Sequence, residues 1–222
     1  MKRLGSATLL LFTALAVRAD ILTFGFSCIT PTNPAACAIG EAQLFMDVVG
    51  NGQSVQIGSN TYTPVSGQVL FRFYNTGPYS SVITAIYFDQ PDSSPLFQGI
   101  ASIYGMTGVA FSAGGSPPVL PGGNNLSPPF DEDLLATAAQ PPPHNGVGPG
   151  EAVGLVLTLE PSMDWDAVIG ALGSRSLRVG LHVQSFPDES SASFVNVVPE
   201  PAAILLVGTA LLVLGRRLRA RA

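Results

Sequence analysis

Cys28 and Cys37 are the only two cysteines of the sequence, and they flank Thr30-Pro31-Thr32-Asn33-Pro34. In a chain that leaves the cytoplasm, a pair this close reads as one disulfide closing a short loop. Loop-closure entropy makes such a bond worth on the order of 2–3 kcal/mol. A metal or nucleophilic role lacks partners, because His144 and His182 are the only histidines. The densest charge cluster is Asp131-Glu132-Asp133, after Pro128-Pro129-Phe130. Carboxylates in a loop can hold Ca²⁺, yet no D-x-D-x-D-G loop is present and the cluster reads as solvated surface charge. No G-x-S-x-G elbow stands near either histidine, and Gly148, Gly150 and Gly154 lack dinucleotide spacing. Two distant carboxylates can always make a glycosidase pair, but the sequence selects no two. The reading is therefore no catalytic residues, no metal and no cofactor. Tyr62, Tyr74, Tyr79, Tyr87 and Tyr104 remain. They can stack on sugars if several share an exposed face; taken singly, each packs into or edges a sheet.

The charge distribution excludes one class of partner. Of 222 residues only 11% are charged, and 46% are hydrophobic. The span Asp20 to Val198 holds three basic residues (Arg72, Arg175, Arg178) against fourteen acidic ones, a net charge of −11. Nucleic acid is not a partner for such a body, since a phosphate backbone needs clustered Lys and Arg. The 24 glycines and 19 prolines exclude a coiled coil or helical array.

Both ends read as addresses. Lys2 and Arg3 precede an apolar run from Leu9 to Val17, with Val17 and Ala19 at the −3 and −1 positions of a cleavage site. This is the order of a secretory signal, residues 1–19, cut between Ala19 and Asp20. At the other end, Ala202 to Leu214 is thirteen uncharged residues, followed by Arg216, Arg217, Arg219 and Arg221. Thirteen helical residues cover roughly 20 Å of a ~30 Å hydrocarbon core. With Gly215, Leu218 and snorkelling arginines, the segment can still span as a transmembrane helix. The arginines then face the cytoplasm and the acidic body faces out.

Pro199-Glu200-Pro201, an apolar helix and an arginine cluster, in that order at residues 199–222, resemble the PEP-CTERM sorting signal of Gram-negative bacteria. The resemblance implies export, transient anchoring in the inner membrane, cutting near the PEP motif by an exosortase, and delivery to the cell surface or the extracellular matrix. It also implies a setting rich in exopolysaccharide. The strings GEAQLFMDV, FRFYNTGP, GIASI, NGVGPGE and LRVGLHVQSF are similar to an ectodomain that recurs in such proteins, and imply no particular activity.

The body that must position these side chains has a period of two. Val69, Phe71 and Phe73 alternate with Leu70, Arg72 and Tyr74, and Leu177 to Gln184 alternates most cleanly. Strands are also expected at Ile21–Ile29, Ala42–Val49, Ser54–Ile57, Val82–Phe88, Ile100–Met106, Val109–Ser112, Ala152–Leu159 and Ala192–Val197. Gly, Pro and Asn turns separate them. The expected fold is all-β: one antiparallel sandwich or jelly-roll-like domain over residues 20–198. One helix is expected over Ser162–Gly173, capped by Ser162 or Asp164, ended by Gly173, with Trp165 in the core. Ser112 to Gly150, with nine prolines and seven glycines, reads as a long loop that is functional or mobile. The expected function is a structural or interaction protein of the envelope or matrix; the alternative is an exopolysaccharide-binding module.

Overall fold

The structure is a computed structural model and describes residues 21–198. Ala19, Asp20, the PEP motif, the apolar tail and its arginines lie outside the described residues. The elements in chain order are β1 (Ile21–Cys28), α1 (Pro34–Gln43), β2 (Leu44–Val49), β3 (Val55–Ile57), β4 (Asn60–Tyr62), β5 (Gln68–Asn75), β6 (Val82–Asp89), β7 (Phe97–Gly105) and β8 (Phe111–Ala113). Then follow β9 (Leu134–Ala138), α2 (Pro142–Asn145), β10 (Ala152–Leu159), α3 (Trp165–Ser174), β11 (Arg178–Gln184) and β12 (Ala192–Asn196).

Ten strands form one sheet in the order β7-β10-β5-β2-β1-β12-β11-β6-β9-β8, each strand antiparallel to its neighbours. β1 is the hinge of this order. Its residues Ile21–Gly25 pair with β2, and Phe26–Cys28 pair with β12. The sheet thus bends into two halves that nearly close on themselves. Alternation supplies the inner lining, because successive strand residues face opposite sides. Val69, Phe71 and Phe73 of β5 and Val179, Leu181 and Val183 of β11 all point into one core. The halves meet there through aromatic rings: Phe88 of β6 lies edge-on to Phe71 at 5.1 Å and to Phe73 at 6.2 Å.

The outer faces are covered unequally. The second half is roofed by segment 114–131, whose Leu120 and Phe130 bury against Tyr87, Ala85 and Ile29. Gly180 permits that contact, since a Cβ there would stand 2.7 Å from Leu120 Cδ2. The first half carries only the small β3–β4 hairpin, seated on Leu70 and Val156.

Several expectations are corrected. The helix at residues 162–173 is not alone: α1 occupies the end of the short loop between the cysteines and runs into the start of the strand expected at Ala42–Val49. Asn33 caps it by accepting from Ala36 N at 3.1 Å, and Pro34 opens it, as the missing N–H of proline allows. The strand begins only at Leu44. In α3 the cap is Asp164, which accepts from Ala167 N at 2.8 Å, and the left-handed end residue is Arg175 (φ 63°) in place of Gly173. Trp165 is half-buried on the rim of the core, lying over Gly50, where a Cβ would come within 2.9 Å of its ring. Residues 112–150 are no single loop, because β9 and α2 lie within them.

Candidate functional site

The exposed face of the first half gathers the chemistry. One row crosses five strands through paired positions: Tyr104 on β7, Gly154 on β10, Arg72 on β5, Asp47 on β2 and Thr23 on β1. Cross-strand neighbours on one face stand about 4.5–5.5 Å apart, so their side chains interact directly. Arg72 Nη2 pairs with Asp47 Oδ2 at 2.5 Å, and Thr23 Oγ1 donates to Asp47 Oδ1 at 2.6 Å. Arg72 Nη1 donates to the Gln56 carbonyl at 3.1 Å, which ties the β3–β4 hairpin to the row. Gly154 makes room for that hairpin, as a Cβ would meet Ile57 Cδ1 at 2.4 Å.

Aromatic rings flank the ion pair on both sides. Tyr62 of the hairpin stacks on Tyr104 with ring centres 4.1 Å apart. On the other side Tyr74 stacks with Phe45 at 5.7 Å, and the Arg72 guanidinium lies 4.6 Å from the Tyr74 ring centre. Tyr74 OH donates to Asp47 Oδ1 at 3.4 Å. Burial, reinforced by the nearby Asp47 charge, raises the Tyr74 pKa, so its hydroxyl stays protonated and able to donate. Three of the five tyrosines, Tyr62, Tyr74 and Tyr104, therefore share one half-exposed face. Tyr87 does not: it is fully buried, with its hydroxyl donating to Pro117 O at 3.1 Å and its pKa raised chiefly by burial. Tyr79 stands exposed in the turn before β6.

This face offers stacking surfaces, hydroxyls and a neutralised ion pair. Arg72, Asp47, Thr23 and Phe45 are members that sequence reasoning missed. The signal was faint but present: Asp47 and Arg72 are the lone charged residues of β2 and β5.

Elsewhere the flagged groups serve the scaffold. Cys28 and Cys37 form a disulfide joining the end of β1 to α1, with Cα atoms 5.3 Å apart. Asp131-Glu132-Asp133 does not converge on a point. Glu132 accepts from Leu120 N, Asp133 accepts from Gln90 N at 2.7 Å, and Asp131 donates its backbone N–H to Asp89 at 3.1 Å. Arg178 pairs with Asp89 and donates to the Pro128 and Pro129 carbonyls at 2.7 and 2.6 Å, latching the roof segment. Burial is the largest influence on Asp89 and raises its pKa against the opposing pull of Asp131 N–H and Arg178. An open cleft of about 980 Å³ lies beside this latch. Among the described residues no three His, Cys, Asp or Glu side chains are grouped to hold a metal ion.

His182 is on the outer side of its strand but buried, 8% exposed, and its Nδ1 is 3.3 Å from Ser193 Oγ. Burial lowers its pKa below the usual 6.5. The unfolded chain then binds the proton more readily, so His182 contributes stability above about pH 6.5 that is lost as pH falls toward the folded pKa. His182→Gln is expected to flatten the change in urea midpoint between pH 7.5 and 5, while the wild-type midpoint falls across the same interval. His144 is exposed at the end of α2.

Compared with known proteins, the chain matches no protein-family model, no curated protein and no solved structure. The site must be judged on its own chemistry.

Proposed function

We propose that this is an exported, PEP-CTERM-sorted protein of the cell envelope or extracellular matrix that binds polysaccharide through the tyrosine-bearing face of its first half-sheet. The observation that carries the binding reading is the convergence of Tyr62, Tyr74 and Tyr104 on one half-exposed face around the Arg72–Asp47 pair. Sugar rings present C–H faces that pack on aromatic rings and hydroxyls that exchange hydrogen bonds, and this face offers both kinds of partner. Asp47 already neutralises Arg72, and the described body carries three basic residues against thirteen acidic ones. Such a field disfavours a polyanion, so the ligand is a neutral exopolysaccharide chain, and nucleic acid is excluded on the same ground. The nearly closed sheet is read as a jelly-roll-like β-sandwich, supported by the Phe71, Phe73 and Phe88 contacts between its two inner faces. The sorting partners are an exosortase and the inner membrane, reached through the signal of residues 1–19 and the tail of residues 199–222. The protein is not an enzyme in this reading.

A glycan array probed with the 20–198 body is the test, followed by titration of the best neutral oligosaccharide. Each ring is worth about 1 kcal/mol, so Tyr62→Ala, Tyr74→Ala and Tyr104→Ala should each weaken binding roughly five-fold. Tyr79→Ala, off the face, should leave it unchanged. An array with no bound glycan, or affinity indifferent to all three substitutions, returns the body to a purely structural role.

A further inference from the structure

β7 ends the ten-stranded order and is hydrogen-bonded along one edge only, to β10. Its first residue is held by Gln90, whose Oε1 accepts from Leu96 N and Phe97 N at 2.9 Å. Its last residue leads into the turn closed by Val109 N donating to Met106 O. Between these ends, Gln98 to Tyr104 make no backbone hydrogen bond other than the ladder to β10 among the described residues. The other edge thus presents a row of unpaired N–H and C=O groups, a ready template for one more strand.

Natural edge strands are blunted by charge, proline, brevity or β-bulges. β7 has nine residues, FQGIASIYG, with neither a charge nor a proline. Register shifts opposite Leu157 and Leu159 disturb its beginning, but Ser102 to Gly105 pair regularly. The inward-facing Ile100 and Ile103 pack on the main core yet stay half-exposed.

We propose that β7 is a self-association edge, at which two copies of this chain pair β7 to β7, antiparallel, about a two-fold axis. The charge pattern argues for a second copy. The described body carries a net charge of −10, so copies repel wherever acidic surface meets acidic surface. A two-fold axis sets a strand against itself, and only an uncharged strand avoids like charges facing each other. The small residues Ala101 and Ser102 near its middle let the two backbones approach. With the axis perpendicular to the sheet, both outer faces lie on one side and the two Tyr62–Tyr104 pairs share one continuous face, about 20 Å apart along the seam. That doubling of the binding face rests on the polysaccharide reading; the pairing itself does not.

The test is the mass of the full chain in mild detergent, measured by light scattering without any glycan. The wild type is expected at twice the mass of its single chain. Ala101→Lys, at an exposed position on the strand, sets two ammonium groups against each other across the axis and should give single chains with an unchanged circular dichroism spectrum. Ala101→Glu, which sets two carboxylates against each other at the same point, should do the same and covers the case in which the first variant does not fold. Thr107→Lys, in the turn just past the strand, should leave the dimer intact. A wild type that stays monomeric, or a dimer that survives both Ala101 charges, overturns the proposal whether or not the protein binds sugar.

Discussion

Phe71→Ala is expected to lower the folding free energy by about 3–5 kcal/mol, the range for emptying a fully buried aromatic site. Phe71 has no exposed surface and belongs to the cluster that joins the two halves of the sheet. Its ring meets Phe88 of β6 edge-on at 5.1 Å and Phe97 of β7 edge-on at 5.8 Å, with Phe73 alongside at 6.4 Å. Edge-to-face pairs add about 0.5–1.5 kcal/mol beyond the area they bury, and alanine removes all three contacts at once. A domain holds only about 5–15 kcal/mol in total, so the variant should unfold at a much lower urea concentration. Phe71→Leu, which refills part of the volume, should cost distinctly less. Val65→Ala, at a position 60% exposed, should stay within about 0.5 kcal/mol of wild type. A Phe71→Ala loss below about 1 kcal/mol would mean that the two inner faces do not press on each other as the ring geometry requires.

The strands that sequence periodicity found best are those with a contrast between their faces or no polar face at all. Gln68–Asn75, Val82–Asp89 and Ala152–Leu159 were located to within a residue or two, and Arg178–Gln184 likewise. α1 escaped because its buried side is made of Ala36, Cys37, Gly40 and Gln43. Small residues carry little helical contrast, and Gly40 is there to let Phe194 lie against the helix, its ring 2.2 Å from where a Cβ would sit. β9, with the sequence LLATA, was hidden in a stretch whose prolines and glycines suggested only loop. The burial of His182 was out of reach for a different reason, since it depends on which strand lies beside it: its ring stands against Ser193 of β12. The same holds for the candidate site. Five tyrosines were visible, but choosing Tyr62, Tyr74 and Tyr104 required knowing that β10 stands between β5 and β7. The Arg72–Asp47 pair required knowing that β2 lies beside β5, a neighbour relation set by the whole topology.

Replacing Pro199-Glu200-Pro201 with three alanines should abolish processing of the tail and leave a membrane-retained precursor. The argument begins at the last strand. β12 ends at Asn196, and Val197 N still donates to Gly25 O at 3.0 Å, so the chain is tied to β1 until two residues before the motif. Proline has no N–H to continue that ladder, and it disfavours helical geometry in the residue before it. On the proposed sorting, a proline on either side of Glu200 would keep a helix from forming there and offer a protease cleft an extended segment to grip. Ala202 to Leu214 alone falls roughly 10 Å short of the hydrocarbon core, which suits a segment held briefly better than a lasting anchor. In the proposed sorting, Arg216, Arg217, Arg219 and Arg221 would act as the stop on the cytoplasmic side while the motif is cut outside. Alanines are strong helix formers and would extend the apolar segment toward the sheet, removing the extended stretch. Intact-mass measurement in an exosortase-bearing host reads the outcome. The native chain should lose Arg216–Ala222 and the alanine variant should keep them, whereas a native mature form that retains those residues would make the tail a permanent anchor.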